Sequence, residues 1–353
     1  MSDGERTKIA LACQGGGTHT AYTAGVLAEL APAIAPLGEE SGRKDGMESE
    51  RDVNGNEREP GDTSDAERRF ELTDVSGASG GASCALLLWY GLLTDGPERA
   101  QSLLERFWER TAARSPIDAL TNDTVLGATA LEESGAALPS VSPYVSPAAV
   151  HARERLGDLL TDLVDFEEIP ALVAPSRPTL HVGAVDILEG SFQTFRDEKV
   201  TPEAILASSA LPTLFQAVEI GSSAYWDGLF AENPPLLDLL AGPTERTPKE
   251  IWVVRINPTS RPEVPRSLRE IADRRNELSG NLSLEKDLAF VEQVNEWLAA
   301  GYLPEAEYKH VEVRFIDFDR DLSLASKLDR DPEFIEGLIE QGHSDARAFL
   351  ADR

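Results

Sequence analysis

The sequence predicts an α/β fold of three layers, with helices on both faces of a mostly parallel central sheet. Three observations carry that prediction. Short apolar runs alternate with longer stretches of helical periodicity along most of the chain. Two junctions, Gln14-Gly15-Gly16-Gly17 and Gly77-Ala78-Ser79-Gly80-Gly81, are glycine-rich turns between an apolar run and a helical stretch. No internal repeat interrupts the alternation. With 353 residues, 41% of them apolar, the chain can bury a core of that size as one domain over residues 1–353.

Residues 8–13 (KIALAC) read as the first buried strand, and residues 18–30 carry apolar side chains at helical spacing (Tyr22, Val26, Leu27, Leu30). Residues 38–69 are acidic and contain almost nothing to bury. They cannot offset their ordering entropy and are expected to form a disordered, solvated insertion. Strand character resumes at 70–75 and runs through the second glycine turn into a small-residue helix at 82–93. Residues 103–113 read as helix. Residues 115–146, rich in Ala, Ser and Pro with little periodicity, are expected to be irregular and to cap the site. Helix follows at 150–164, strand at 179–186 with a partner at 191–195, helix at 201–208 and a strand closing at 224–227. Residues 251–257 (IWVVRIN) form the clearest strand. Long helices over 268–300, a last strand at 311–315 and a helix near 334–350 complete the pattern.

The formal net charge is −29, from 62 acidic and 33 basic residues, with a pI of about 4.5. Such an excess repels phosphate backbones and argues against nucleic-acid binding through phosphates. Two explanations fit it: an acidic tail, or a solvated acidic surface suited to molar salt, where the Debye length is about 3 Å. The acids are spread along the whole chain, which favours the surface and a halophilic setting. No stretch approaches the ~20 apolar residues of a membrane span, and the first residues lack a signal-peptide core. A soluble, cytoplasmic protein is expected. Cys13 and Cys84 make neither a disulfide framework nor a zinc pattern and are expected in the core.

Gly77 to Gly81 is a G-x-S-x-G on an expected strand-to-helix turn. Its glycines allow a tight turn and close backbone approach, and its serine sits at a helix N-terminus that favours developing negative charge. Five residues can match by chance in a glycine-rich chain; the flanking strand and helix make Ser79 a candidate nucleophile. Five histidines, His19, His151, His181, His310 and His343, are candidate bases. Only one strand precedes the turn, an order that argues against a Ser-Asp-His triad. The first turn, Gly15 to Thr18, offers closely spaced N–H groups at a helix start. It fails as a dinucleotide fingerprint because Thr20 stands at the third glycine, and it lacks a P-loop Lys-Ser/Thr pair. An oxyanion hole fits better, each donor contributing ~3 kcal/mol to the transition state. A tight turn without a ligand is the plain alternative.

These segments together resemble the patatin-like phospholipases. Gln14 to Gly17, with Ala21-Tyr22 and Ala24-Gly25-Val26-Leu27, is similar to that family's oxyanion segment, and Gly77 to Gly81 to its nucleophile elbow. Residues 207–212 (ASSALP) with Phe215 resemble the stretch before its catalytic aspartate. Asp227-Gly228-Leu229 and Asn233-Pro234-Pro235 resemble the aspartate motif itself. Ser142-Pro143-Tyr144 and residues 164–167 (VDFE) and 273–278 (DRRNEL) resemble bacterial and archaeal members. The likeness covers nearly the whole chain except the acidic insertion.

The resemblance implies a patatin-like three-layer fold and a Ser79–Asp227 dyad that needs no histidine, metal or cofactor. It also implies an oxyanion hole among Gly15, Gly16, Gly17 and Thr18, and an elbow of Gly77, Gly80 and Gly81. The implied partner is a lipid or polyester acyl substrate, with peripheral contact at a membrane or granule surface. His19, Thr20 and Leu229 depart from the family pattern. Thr20 is expected in a right-handed conformation, since a β-branched residue tolerates positive φ poorly, and His19 is expected to face solvent. The implied activity is acyl ester hydrolysis. The alternatives are a polyhydroxyalkanoate depolymerase and a non-catalytic lipid- or granule-binding protein.

Overall fold

The first apolar run forms β1 (Thr7–Cys13), and its alternating side chains serve two cores. Ile9, Leu11 and Cys13 enter the larger, while Ala10 and Ala12 enter the smaller on the opposite face. A computed structural model describes residues 6–38, 69–133, 141–212, 214–320, 322 and 325–353. Among these the sheet has nine strands: β1, β2 (Ile34–Pro36), β3 (Phe70–Ala78), β4 (Thr179–Asp186), β5 (Ser191–Arg196), β6 (Val218–Ile220), β7 (Ser223–Asp227), β8 (Glu250–Arg255) and β9 (Glu312–Asp317). Their order is β6-β7-β4-β3-β1-β8-β9, with β2 paired to β3 and β5 to β4. The β2–β3–β4 and β3–β1–β8–β9 pairings are parallel. Those joining β4 to β5, β4 to β7 and β6 to β7 are antiparallel.

The helices are α1 (Thr20–Leu30), α2 (Gly80–Thr94), α3 (Pro97–Thr111), α4 (Pro116–Glu133), α5 (Pro147–Leu163), α6 (Ile169–Leu172), α7 (Pro202–Ser208), α8 (Leu268–Ala299) and α9 (Pro332–Ala351). Apolar side chains of α1, α2, α3, α5, α7 and α9 join Trp252 and Val254 of β8 in the larger core. Leu284 and Val291 of α8 cover Ile251 and Val253 on the other face. The three-layer α/β/α arrangement with a mostly parallel sheet is therefore the fold. Cys13 and Cys84 are free and fully buried.

Two expectations change, and two short strands appear that were not expected. The stretch expected to be irregular contains α4, 18 residues long. Its Ile117 and Leu120 are 80% and 69% exposed, so it lacks the buried stripe that marks a helix in sequence. Ser115 caps it locally, its Oγ accepting from Asp118 N at 3.1 Å. The region expected to hold several helices, 268–300, is one 32-residue helix, opened by a Ser267/Glu270 capping box. Strands β2 and β6, at three residues each, are too short to show a period. Of the acidic insertion, residues 39–68 lie outside the described residues, as do 134–140 of the expected cap.

Candidate active site

Strands β1 and β3 are parallel neighbours, with Cys13 opposite Gly77, so their two glycine turns leave the same edge of the sheet side by side. Ala78 pairs with Gly183 of β4, and the next residue, Ala184, pairs with Asp227 at the end of β7. Strand β5 runs along the other side of β4 over the same residues, so β3 and β7 meet end to end on one side of β4 and bring Ser79 and Asp227 to one level.

Ser79 is the N-cap of α2 and holds φ 54°, ψ −132°, a conformation costing on the order of 1–3 kcal/mol in a non-glycine residue. Ser208 at the end of α7 holds it there. Ser79 N donates to Ser208 O at 3.1 Å and to Ser208 Oγ at 2.9 Å. Ser208 Oγ in turn donates to Gly183 O at 2.6 Å. The flanking glycines are required by contact. A Cβ on Gly81 would stand 2.4 Å from Cys13 O, one on Gly80 2.1 Å from Thr20 Oγ1, and one on Gly77 2.5 Å from Gly81 O.

The Ser79 side chain lies beside the Asp227 carboxylate, close enough to favour its ionised form. Asp227 is 2% exposed, and Leu229 N donates to its Oδ1 at 2.9 Å. Burial pushes its pKa up to about 7, against the smaller lowering pull of the Leu229 and Ser79 hydrogen bonds. No histidine takes this place. His181 Nε2 lies 3.0 Å from Asp74 Oδ1, and His343 Nδ1 lies 2.9 Å from Glu29 Oε2. His19, expected in solvent, is instead 4% exposed, with Nε2 2.8 Å from Ser326 Oγ and the rings of Phe318 and Phe334 beside it. Burial first, then Lys327, lowers its pKa to about 3, so it is neutral at physiological pH.

The glycine loop lies against Ser79: a Cβ on Gly15 would be 2.6 Å from Ser79 Cβ. One expected oxyanion donor is corrected here. Gly15 N already donates to Asn233 Oδ1 at 2.7 Å, so Gly15 is an anchor. Its carbonyl accepts from Asn233 Nδ2 at 3.2 Å and Asn257 Nδ2 at 2.8 Å. Gln14 Oε1 accepts from the backbone N–H groups of Ile256 and Asn257, while its Nε2 donates to Asn281 Oδ1 at 3.2 Å. This buried amide network leaves the N–H groups of Gly16 and Gly17 without a partner among the described residues. Thr18 follows, buried, at the head of α1. Thr20 is right-handed as expected, at φ −70°, ψ −4°, and its Oγ1 donates to Gly17 O at 2.6 Å.

Sequence reasoning missed the anchoring roles of Gln14, Ser208, Asn257 and Asn281. Asn257, closing the apolar run IWVVRIN, was the available signal: a polar amide just past a buried strand requires partners. Among the described residues no group of three His, Cys, Asp or Glu side chains is placed to hold a metal ion. A cavity of about 180 Å³ lies between α3 and α9, lined by Trp108, Arg114, Ile335 and Glu336 among others, with neither Ser79, Asp227 nor a glycine-loop residue in its wall. No helix of the described residues is long and apolar enough to cross a membrane.

Comparison with known proteins gives three results. No curated protein sequence matches the chain. Among solved structures it is similar to VipD from Legionella pneumophila (13% identity, 99% of this chain and 67% of that one, TM-score 0.41). It is also similar to the ExoU–SpcU complex of Pseudomonas aeruginosa (16% identity, 97% and 52%, TM-score 0.32). Both likenesses are too loose to carry an argument about function. The family model for patatin-like phospholipase matches residues 11–240, from within β1 through both glycine turns and past Asp227. The chain therefore belongs to the patatin-like phospholipase family.

Proposed function

We propose that this chain is an acyl ester hydrolase of the lipid acyl hydrolase class, working through a Ser79–Asp227 dyad in a salt-rich cytoplasm. One observation carries the reading: a serine on a strained turn, beside a buried carboxylate whose pKa is about 7. A base poised near neutrality is suited to take the serine proton and to return it.

Ser79 Oγ attacks the ester carbonyl carbon and its proton passes to Asp227. The charge that develops on the carbonyl oxygen is taken up by the N–H groups of Gly16 and Gly17, with Thr18 adjoining, and by the N-terminal end of α2. The bond to the alcohol breaks as Asp227 protonates the leaving oxygen. Water then attacks the acyl-enzyme, giving a proton to Asp227. That proton returns to Ser79 as the fatty acid departs. The intact dyad and glycine loop favour this reading over a binding protein that merely keeps the fold.

Hydrolysis of short- and long-chain p-nitrophenyl esters in molar KCl tests it. Ser79→Ala should remove turnover by at least about 10⁴-fold without changing the circular dichroism spectrum. Turnover surviving in that variant would sink the proposal. Hydroxybutyrate release from native polyester granules, with no fatty acid release from acylglycerols, would move the substrate to the polyester.

A further inference from the structure

Residues 273–278 (DRRNEL), part of the family resemblance, take no part in the dyad, yet they reach the glycine loop from behind. They lie in the first turns of α8, facing the short 3₁₀ turn Ala325–Leu328. Lys327 Nζ donates to Asp273 Oδ1 at 2.9 Å and to Glu277 Oε1 at 2.8 Å. The Arg261 guanidinium binds the same carboxylates at 2.5 and 2.6 Å, and Arg274 adds a bond of 3.2 Å to Glu277 Oε2. The Glu277 side chain is 1% exposed. Burial pushes its pKa up, but Lys327 and Arg261 together hold it down to about 2, so it stays ionised.

The other end of Lys327 meets the loop. Its carbonyl oxygen stands 2.3 Å from where a Cβ on Gly17 would be, and Gly17 has φ +62°. Its neighbour Ser326 touches His19, two residues further along. From α8 itself Asn281 holds Gln14, at the loop's start. The loop is thus gripped at both ends by one helix, directly at Gln14 and through Lys327 at Gly17.

We propose that Lys327 is a positioning residue for the glycine loop: Asp273 and Glu277 fix its ammonium, and its carbonyl seats Gly17 so that the Gly16 and Gly17 N–H groups stay aimed at the oxyanion. The inference rests on the hydrolase reading above. Lys327 acts through backbone and touches no reacting atom, so its loss should appear in kcat and not in substrate affinity.

The test is steady-state hydrolysis of p-nitrophenyl butyrate in molar KCl by Lys327→Met, Lys327→Arg and Glu277→Gln, with active sites counted by fluorophosphonate titration. Lys327→Met and Glu277→Gln should lower kcat about 10- to 100-fold with KM within about twofold, as small misplacements of catalytic groups do. Lys327→Arg, which keeps the charge and a long stem, should recover most of the loss. If Lys327→Met does not fold, the paired change Lys327→Met with Glu277→Gln, which removes one charge of each sign, makes the same measurement. Wild-type kcat per titrated site in the Met variant, whatever its melting temperature, would overturn the proposal, as would a change confined to KM. Failure of the underlying dyad would look different: wild-type turnover surviving Ser79→Ala, which would overturn both.

Discussion

At the residue scale, Asp227 connects activity to stability. Its carboxyl is buried, and its pKa is raised from 3.8 to about 7. Below pH 4 it is protonated both folded and unfolded, and it costs nothing. Between about pH 4 and 7 the unfolded chain releases the proton while the folded chain keeps it, so rising pH favours unfolding. The site therefore lowers stability by on the order of 4 kcal/mol above pH 7, at one pKa unit per 1.36 kcal/mol. Asp227→Asn should raise the melting temperature at pH 8, leave it nearly unchanged at pH 4, and abolish ester turnover. In the wild type kcat/KM should rise with pH through about 7 as the base ionises. A flat profile from pH 5 to 9 in a variant-controlled assay would remove Asp227 from that role. Gly15 makes a steric prediction: Gly15→Ala puts a methyl 2.5 Å from Ala78 O and 2.6 Å from Ser79 Cβ. It should cost about 1–3 kcal/mol as an overpacking change and displace Ser79, read as a lower unfolding midpoint together with lost activity.

At the scale of elements, the site is where three connections off β1, β3 and β7 meet, and each is held by something distant in sequence. Ser208, at the end of α7, fixes the elbow through Ser79 N and passes the restraint to Gly183 of β4. Ser208→Ala removes one acceptor and one donor in a fully buried position and should cost about 1–3 kcal/mol, measured by urea denaturation. The placement of Ser79 on a strand-to-helix turn and of Asp227 at a strand end was legible because those signals are local, a glycine pattern between an apolar run and a helix and an Asp-Gly closing a strand, while the role proposed for Asp227 came from the family resemblance. The supports were not. Gln14 and Asn281 are 267 residues apart, and nothing near either residue names its partner. His19 illustrates the same limit. Its sequence neighbours fit an exposed helix start, but Ser326, Phe318 and Phe334, some 300 residues later, bury it. Helix α4 was missed for the opposite reason, because its apolar residues stay outside and leave no stripe to read.

For the whole molecule, charge sets the expected response to salt. A net charge of −29 on 353 residues repels itself in dilute buffer, and salt screens that repulsion. The melting temperature should therefore climb as KCl rises from millimolar to molar; a decline over that range would argue against a halophilic setting. Stability should also fall from about pH 5 to pH 8. Glu232 and Asp287, like Asp227, carry raised pKa values, at about 7 and 6, through burial first and neighbouring acids second. Glu277, held at about 2, contributes no titration in that window. The same charge predicts weaker adsorption to anionic vesicles than to zwitterionic ones in low salt, measured by co-flotation. At this scale the sequence was most readable. The order of apolar runs gave the layers and the parallel sheet, while the strand order and the antiparallel edge at β5, β6 and β7 depend on pairings that no single segment encodes.

The central claim is that Ser79 is the nucleophile and Asp227 its base, and intact-mass measurement of fluorophosphonate labelling tests it most directly. The wild type should gain one adduct, located at Ser79 by peptide mapping. Ser79→Ala should gain none, and Asp227→Asn should label at least about 100-fold more slowly. An adduct on Ser79→Ala, or wild-type labelling of Asp227→Asn, would contradict the assignment.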